Sequence, residues 1–405
     1  MSISNSNYAN LRDRRSMLGN RHMTTDPSPN IHSLDEKRLL VVSRLQSAKV
    51  FEAMGCDSWQ SIASDRYRSV DRPDICVIIP LYNYAKYIHQ CLDSVAASVF
   101  ADSSVKIEVL VIDDRSTDNS AQVVEEYLEH SDLPICLIKK HLNTGLADVR
   151  NIGLKIALAP YVFMLDADNW IAPNCLSVMH AQIKSGNYAS IYGKIEIFNN
   201  DTQKYVCLFS DTEWNLGDLI QDPYIDAMAM FDKNILIAVG GYSTELVEYG
   251  WFGFEDYDLW LKFAQNGCVV KLVPEVLSYY RVHTSSMINT TNQFRVNMAR
   301  YFNSKFPELA NINTTSEKLF GARRNLVAGM NHQNLISKAT ENLAQTPDGS
   351  AANTSAPSEH ELNASLAQEL NRCYETISSM QSSKFWKLRS KWFELKQMWR
   401  STKIG

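Results

Sequence analysis

The sequence has no apolar run long enough to cross a bilayer. The longest, Ile156 to Leu165, is interrupted by Pro160 and falls far short of the ~20 residues that a spanning helix needs. No apolar segment follows the polar N-terminus, where Arg12, Arg14 and Arg15 stand among Asn and Ser, so no secretory signal is expected. Positive charge is not in excess either. The 405 residues carry 40 Lys and Arg against 45 Asp and Glu, a formal net charge of -5, and overall electrostatics give a nucleic-acid partner no support. Cys56, Cys76, Cys91, Cys136, Cys175, Cys207, Cys268 and Cys373 are scattered, with no C-x-x-C pair and no zinc-like spacing; they read as reduced core thiols of a cytoplasmic protein. The absence of G-x-x-x-x-G-K followed by Ser or Thr disfavours a P-loop kinase.

What is present is a composition of 45% hydrophobic and 21% charged residues, ordinary for a globular chain with a sizeable core. Residues 1–72 read as a polar leader followed by a helical extension, with apolar spacing through Leu39, Val42, Leu45 and Val50. From Asp74 the texture changes. Apolar runs at Ile75 to Ile79, Ile107 to Ile112, Ile135 to Ile138 and Tyr161 to Leu165 alternate with amphipathic segments, the pattern of parallel strands joined by helices. Further strands are expected at Ala189 to Tyr192, Ile195 to Phe198, Ala227 to Phe231 and Val269 to Val273, in a more mixed second half. The core domain is bounded at 73–305, followed by a helical extension at 306–339 and, by composition, a linker at 340–360. Residues 361–405 repeat apolar positions every three to four residues and predict a helical C-terminal arm. Within it Lys384, Lys387, Arg389, Lys391, Lys396, Arg400 and Lys403 oppose Glu394 alone, interleaved with Trp386, Trp392 and Trp399. Such an arm suits peripheral contact with an anionic membrane face, and equally self-association or docking on the core domain.

Acidic and polar clusters close several of the apolar runs. Asp166-Ala167-Asp168 matters most, because two carboxylates one residue apart at a strand end place hard oxygen donors where a divalent cation can bridge them to phosphate. Tyr82, just past the first strand, offers a ring to a nucleobase, and a carboxylate after the second strand offers an acceptor to a base imide. Glu255-Asp256 precedes a helix bearing Leu259, Trp260 and Phe263, where one carboxylate is placed to take a proton from a hydroxyl. Each cluster also has a plain reading. Asp114 would cap the helix after Ser116, Arg150 would sit on a helix surface, and Asp166 and Asp168 would occupy a solvated turn. Glu255 and Asp256 would answer a helix dipole, and His283 would be a hydrogen-bonded structural residue.

Taken in order, Ile79-Pro80-Leu81-Tyr82-Asn83, Val111-Ile112-Asp113-Asp114-Arg115-Ser116-Thr117-Asp118, Asn143-Thr144-Gly145 with Arg150-Asn151-Ile152-Gly153, Leu165-Asp166-Ala167-Asp168 and Gly253-Phe254-Glu255-Asp256 resemble the motifs of family 2 glycosyltransferases, over roughly residues 73–290. Five weak motifs in sequence make a specific signal. The resemblance implies an α/β GT-A fold, a Rossmann-like mixed sheet flanked by helices, and an inverting, metal-dependent transfer of one sugar from a nucleotide-diphospho-sugar, UDP-linked by expectation. The acceptor would be a sugar, lipid-linked or protein hydroxyl in polysaccharide or glycolipid assembly. It implies Asp256 as base with Glu255 orienting its loop. The nucleotide would be bound by Pro80, Tyr82, Asn83, Asp113, Asp114, Asn143, Gly145, Arg150 and Asp166. Mn²⁺ or Mg²⁺ would be held by Asp168, Asp166 and His283, the last from Tyr280-Arg281-Val282-His283-Thr284-Ser285-Ser286, which is similar to a late family segment. No Q-x-x-R-W segment follows the expected base, which points to single addition rather than processive synthesis. Val149 departs from the small residue expected before Arg150-Asn151. The expected location is cytoplasmic, with a peripheral position at the inner membrane face left open. Two other readings stay open: a sugar-phosphate nucleotidyltransferase, and an inactive family member acting as an adaptor.

Overall fold

The computed structural model describes residues 31–101, 105–249, 253–283, 291–312 and 314–327. The linker and C-terminal arm expected at 340–405 lie outside these residues, as do the leader to residue 30 and Thr284-Ser285-Ser286. The chain divides into units 1–336 and 337–405, and the description below concerns the first.

Helix α1 spans Ile31–Ala53, strand β1 Trp59–Ala63 and the short α2 Asp65–Ser69. The alternating region then gives β2 Ile75–Leu81, α3 Ile88–Ala101, β3 Ile107–Asp113, α4 Ser120–His130, β4 Ile135–Lys140, α5 Leu146–Ile156 and β5 Tyr161–Met164. Strands β2 and β3 are buried at every position, which is why they read as continuous apolar runs rather than alternating ones. Successive side chains of a strand point to opposite faces, and the two cores divide accordingly. Cys76, Ile78, Leu110 and Ile112 face one core, while Ile75, Val77, Ile79, Val109 and Val111 face the other with Leu92 and Val95 of α3 and Val124 of α4. On the first face α5 packs closely on β2: a Cβ at Gly153 would stand 2.6 Å from Ile78 Cγ2.

The second half contributes β6 Trp170–Ile171, α6 Cys175–Lys184, β7 Ser190–Asn199, β8 Lys204–Phe209, α7 Leu216–Gln221, β9 Ala229–Asp232, α8 Lys233–Ala238, α9 Leu246–Tyr249, α10 Glu255–Gln265 and β10 Val270–Val282. The sheet runs β1-β4-β3-β2-β5-β9-β7-β10-β6, with β8 pairing β7. Strands β4, β3, β2 and β5 are mutually parallel. Beyond them β9 is antiparallel to both β5 and β7, while β10 is parallel to β7. This is the mixed α/β sheet flanked by helices that the motifs imply. Because the carboxyl ends of β2, β3, β4 and β5 share one edge, the loops 82–87, 114–119, 141–145 and 165–169 gather there, where open α/β sheets bind ligands.

Three boundaries need correction. The sheet begins at Trp59 rather than 73, since β1 pairs antiparallel with β4 at its edge; its three central residues are solvent-exposed, so it carries no apolar signature. The two strands expected at 189–198 are one, with Lys194 paired opposite Val276. After α11 Arg295–Lys305, the described part of the helical extension expected at 306–339, which ends at 327, holds α12 Pro307–Ala310, a hairpin of β11 Lys318–Leu319 and β12 Ala322–Arg323, and α13 Arg324–Val327. The hairpin turns on Phe320 (φ 50°) and Gly321 (φ 86°), both in the left-handed region that two-residue hairpin turns require. Among the described residues no helix is long and apolar enough to cross a membrane.

Candidate active site

The loop after β2 is tied to the loop after β3 by side chains rather than by ladder bonds. Asn83 takes φ 58°, and its Oδ1 accepts from the amides of Thr117 (2.7 Å) and Asp118 (3.3 Å). The amides of Asn83, Tyr84 and Ala85 donate in turn to Ser116 Oγ, Ser120 Oγ and Asp118 Oδ2. Asn83 therefore shapes the loop, leaving Tyr82, 44% exposed, as the member of this stretch open to a ligand ring. Pro80 is buried in β2.

Asp113 and Asp114 are both buried, yet they differ in what surrounds them. Asp114 accepts from the amides of Thr144 (3.0 Å) and Gly145 (2.8 Å) and pairs with Lys140 Nζ at 2.8 Å. It thus caps the entry to α5 rather than the helix after Ser116. Asn143 Nδ2 donates to the Asp114 carbonyl at 2.9 Å, and Gly145 at φ 90° supplies the turn into α5. Asp113 accepts from the Ser116 amide at 3.2 to 3.3 Å and is drawn on by the Ser116 hydroxyl as well. Burial pushes its carboxyl up, against the pull of Ser116. Of the two, Asp113 keeps more acceptor capacity for a ligand.

Arg150 is the centre of the site's charge. It is 1% exposed on the inner side of α5; its Nη1 donates to Glu255 Oε1 at 2.5 Å and its Nη2 to Asp166 Oδ1 at 2.7 Å. Its guanidinium lies 5.2 Å from the Tyr242 ring centroid. The two carboxylates hold its pKa above its ordinary value although burial opposes this. Burial pushes the Glu255 carboxyl up while Arg150 draws it down. Among the described residues, Arg150 Nε and Glu255 Oε2 lack a hydrogen-bond partner. The surface-helix reading of Arg150 is therefore excluded by its burial, and its terminal nitrogens are occupied by protein carboxylates.

Asp168 lies on the other side of the same turn. It is buried, and His283 Nε2 stands 2.9 Å from its Oδ2. Burial raises its pKa and His283 lowers it. His283 packs against the rings of Tyr84 and Tyr87 at 5.8 and 5.2 Å. Arg281 Nε donates to the Asp168 carbonyl and the Arg281 amide to Asn169 Oδ1, both at 2.9 Å, which docks the end of β10 onto the acidic turn. The reading of Asp166 and Asp168 as a simple solvated turn does not hold.

Asp256 opens α10. Phe254 before it sits at φ 61° and Gly253 at φ 107°, and a Cβ on Gly253 would meet Thr291 Oγ1 at 2.6 Å, so the corner demands glycine and stores strain as functional corners do. Asp256 is half-buried, its Oδ1 accepting from the Tyr257 amide at 2.7 Å. Asp166 and Asp256 line one open cleft together with Arg150, Glu255, Tyr280 and Arg295. Asp168, in contact with His283, is not part of that lining.

Among the described residues no three His, Cys, Asp or Glu side chains are grouped to hold a metal ion by themselves. Asp166, which lines the cleft, fits the mode in which Mg²⁺ or Mn²⁺ takes one or two carboxylates and completes its shell from phosphate and water, whereas Asp168 is buried against His283. Four contributors escaped the sequence reading: Lys140, Tyr84, Tyr242 and Arg281. Lys140 had a signal, a lysine closing an apolar run, and Arg281 lay inside a motif whose attention went to its histidine.

Residues 76–240 match the model described as Glycosyl transferase family 2. The UDP-Glc:alpha-D-GlcNAc-diphosphoundecaprenol beta-1,3-glucosyltransferase WfgD of Escherichia coli is 29% identical over 226 residues, 55% of this chain and 81% of WfgD. Glycosyltransferase GlyA of Streptococcus pneumoniae is 28% identical over 195 residues, 38% of this chain. The match spans only 27% of GlyA's own length. Among solved structures, S. aureus TarS 1-349 in complex with UDP-GlcNAc superimposes with a TM-score of 0.45 and 21% identity, covering 57% of this chain and 66% of TarS.

Proposed function

We propose that the chain transfers one sugar from a UDP-linked donor to a hydroxyl of a sugar carried on a lipid diphosphate, with inversion at the anomeric carbon, a reading supported by the match of residues 76–240 to the family 2 glycosyltransferase model. One observation carries the reading: Asp166 and Asp256, 90 residues apart in the sequence, line a single cleft. The acceptor class is taken from WfgD, whose name gives a diphosphoundecaprenol-linked sugar as its substrate.

In this reading Tyr82 stacks on the base, and Asp113, with acceptor capacity to spare, takes the imide proton. Asp256 removes the proton from the acceptor hydroxyl as that oxygen attacks the anomeric carbon, and the bond to the diphosphate breaks on the opposite face. Its half-buried place at the cleft wall gives it access to that hydroxyl. Glu255 does not touch the reactants; paired with Arg150, it anchors the first turn of α10 and so fixes Asp256. Asp166, held on its Oδ1 by Arg150, would hold Mn²⁺ or Mg²⁺, which supplies charge neutralisation on the departing diphosphate. His283 orients Asp168. A nucleotidyltransferase has no need for a carboxylate base facing a sugar hydroxyl, and Asp256 favours transfer of the sugar.

The test is a UDP-release screen across UDP-sugars with a short-chain N-acetylglucosaminyl diphospho-lipid acceptor, followed by isolation of the product. The expected result is an acceptor longer by one sugar with inverted linkage, and a loss of about 10²–10⁴ in kcat for Asp256→Asn. Released pyrophosphate in place of a glycosylated product, or an Asp256→Asn enzyme with parental kcat, would refute the proposal.

A further inference from the structure

Arg295 lines the same cleft as Asp256, beside Pro223, Tyr280 and Thr291, and no motif of the sequence drew attention to it. Its charge is poorly used by the protein. The carboxylate nearest to it, Asp222, has Oδ1 4.0 Å from Arg295 Nη2, and the other Asp222 oxygen is taken by Lys318 Nζ at 2.8 Å. Arg295 Nε is buried without a hydrogen-bond partner among the described residues. By contrast the cleft's other arginine, Arg150, spends both terminal nitrogens on Glu255 and Asp166. Arg295 is also the first residue of the 11-residue α11, whose first turn contains no acid. Its guanidinium offers charge-assisted donors to an anion.

We propose that Arg295 forms a subsite for a phosphate group of the acceptor, on the cleft wall that carries Asp256. The inference deepens the function proposed above and rests on it for the identity of the reaction. The guanidinium would take a phosphate oxygen in a charge-assisted pair, holding the acceptor by the group next to its sugar while Asp256 faces the hydroxyl. Diphosphate chemistry also occurs in the donor. Asp166, on the donor side of the proposed site, lines the same cleft, and the UDP arm of the titration separates donor from acceptor.

The test is a binding titration that needs no turnover. The full chain and its Arg295→Met and Arg295→Lys variants are titrated, with UDP present, with a short-chain N-acetylglucosaminyl diphospho-lipid and with the same sugar on an uncharged alkyl chain. UDP affinity is measured separately for each protein. The parent should bind the diphosphate probe at least about tenfold more tightly than the uncharged one, the usual scale of a charge-assisted hydrogen bond. Arg295→Met should erase that preference, Arg295→Lys should keep part of it, and UDP affinity should stay the same in all three. A parent without preference, an Arg295→Met chain that retains it, or a tenfold loss of UDP affinity in that variant would overturn the acceptor subsite. Because the readout is binding, failure of the transfer reaction itself would appear separately, as the absence of a glycosylated product.

Discussion

Replacing Arg150 by Met isolates what a buried cation does here. The side chain is 1% exposed and satisfies one oxygen of Glu255, itself buried, and one of the quarter-exposed Asp166. Methionine fills much of the volume but leaves the Glu255 carboxylate without a counter-charge in the protein interior. Breaking a buried pair from one side costs about 3–5 kcal/mol, a large share of the ~5–15 kcal/mol that holds a domain together. The sign of the pH dependence follows from Glu255. Burial already raises its pKa and Arg150 opposes that rise, so without Arg150 the folded-state pKa climbs further above the unfolded value. A group raised on folding is least harmful where it is protonated. The destabilisation of Arg150→Met should therefore be full at pH 8 and shrink as the pH falls through the raised carboxyl pKa towards the ordinary carboxylate range. Urea melts of parent and variant at pH 8 and pH 5 measure this directly, and adding Glu255→Gln should recover part of the loss at pH 8. An Arg150→Met chain as stable as the parent at pH 8, or equally destabilised at both pH values, would refute the assignment of a buried ion pair.

Asp114→Asn should lower stability by about 2–3 kcal/mol, less than a full buried-pair break because Lys140 Nζ keeps Asp148 at 2.9 Å; denaturant melts check it. Gly253→Ala meets both an unfavourable φ of 107° and Thr291 Oγ1, and should cost about 1–3 kcal/mol. Adding Thr291→Ala should relieve the collision but not the backbone strain, so that only part of the loss in melting returns. Tyr82→Ala should change stability by no more than about 0.5 kcal/mol while weakening UDP binding by about 1–3 kcal/mol, the worth of one base stack, as calorimetry would measure.

Legibility followed burial. Strands β2 and β3 could be read from sequence because both faces are covered and their residues are apolar apart from Glu108 and Asp113 of β3, whereas β1 lies at an edge with its central residues exposed and left no pattern. The hairpin at 318–323 was hidden for another reason: two-residue strands are too short for any period to register. The acidic motifs were readable as local spacing, but their partners were not. Nothing in the sequence couples Arg150 to Glu255, 105 residues away, or His283 to Asp168, 115 residues away; only the sheet order, with β6 paired antiparallel to β10, brings the latter pair together.

These pairings also divide the carboxylates of the site by task. Asp114 is committed to Lys140 and two amides, Glu255 to Arg150, and Asp168 to His283, all in buried surroundings where an unpaired charge would be costly. Each commitment fixes a loop: the entry to α5, the first turn of α10 and the end of β10. Asp166 is a quarter exposed and joins the two sets, since its Oδ1 rests on Arg150 while the residue lines the cleft that Asp256 also reaches. Arg150 thereby links Asp166 to the helix that carries Asp256 through a single planar guanidinium, whose fork sets the spacing of both partners more tightly than a flexible ammonium would. Lysine at this position would preserve the charge but not the fork, and Arg150→Lys should accordingly keep more stability than Arg150→Met while still losing turnover.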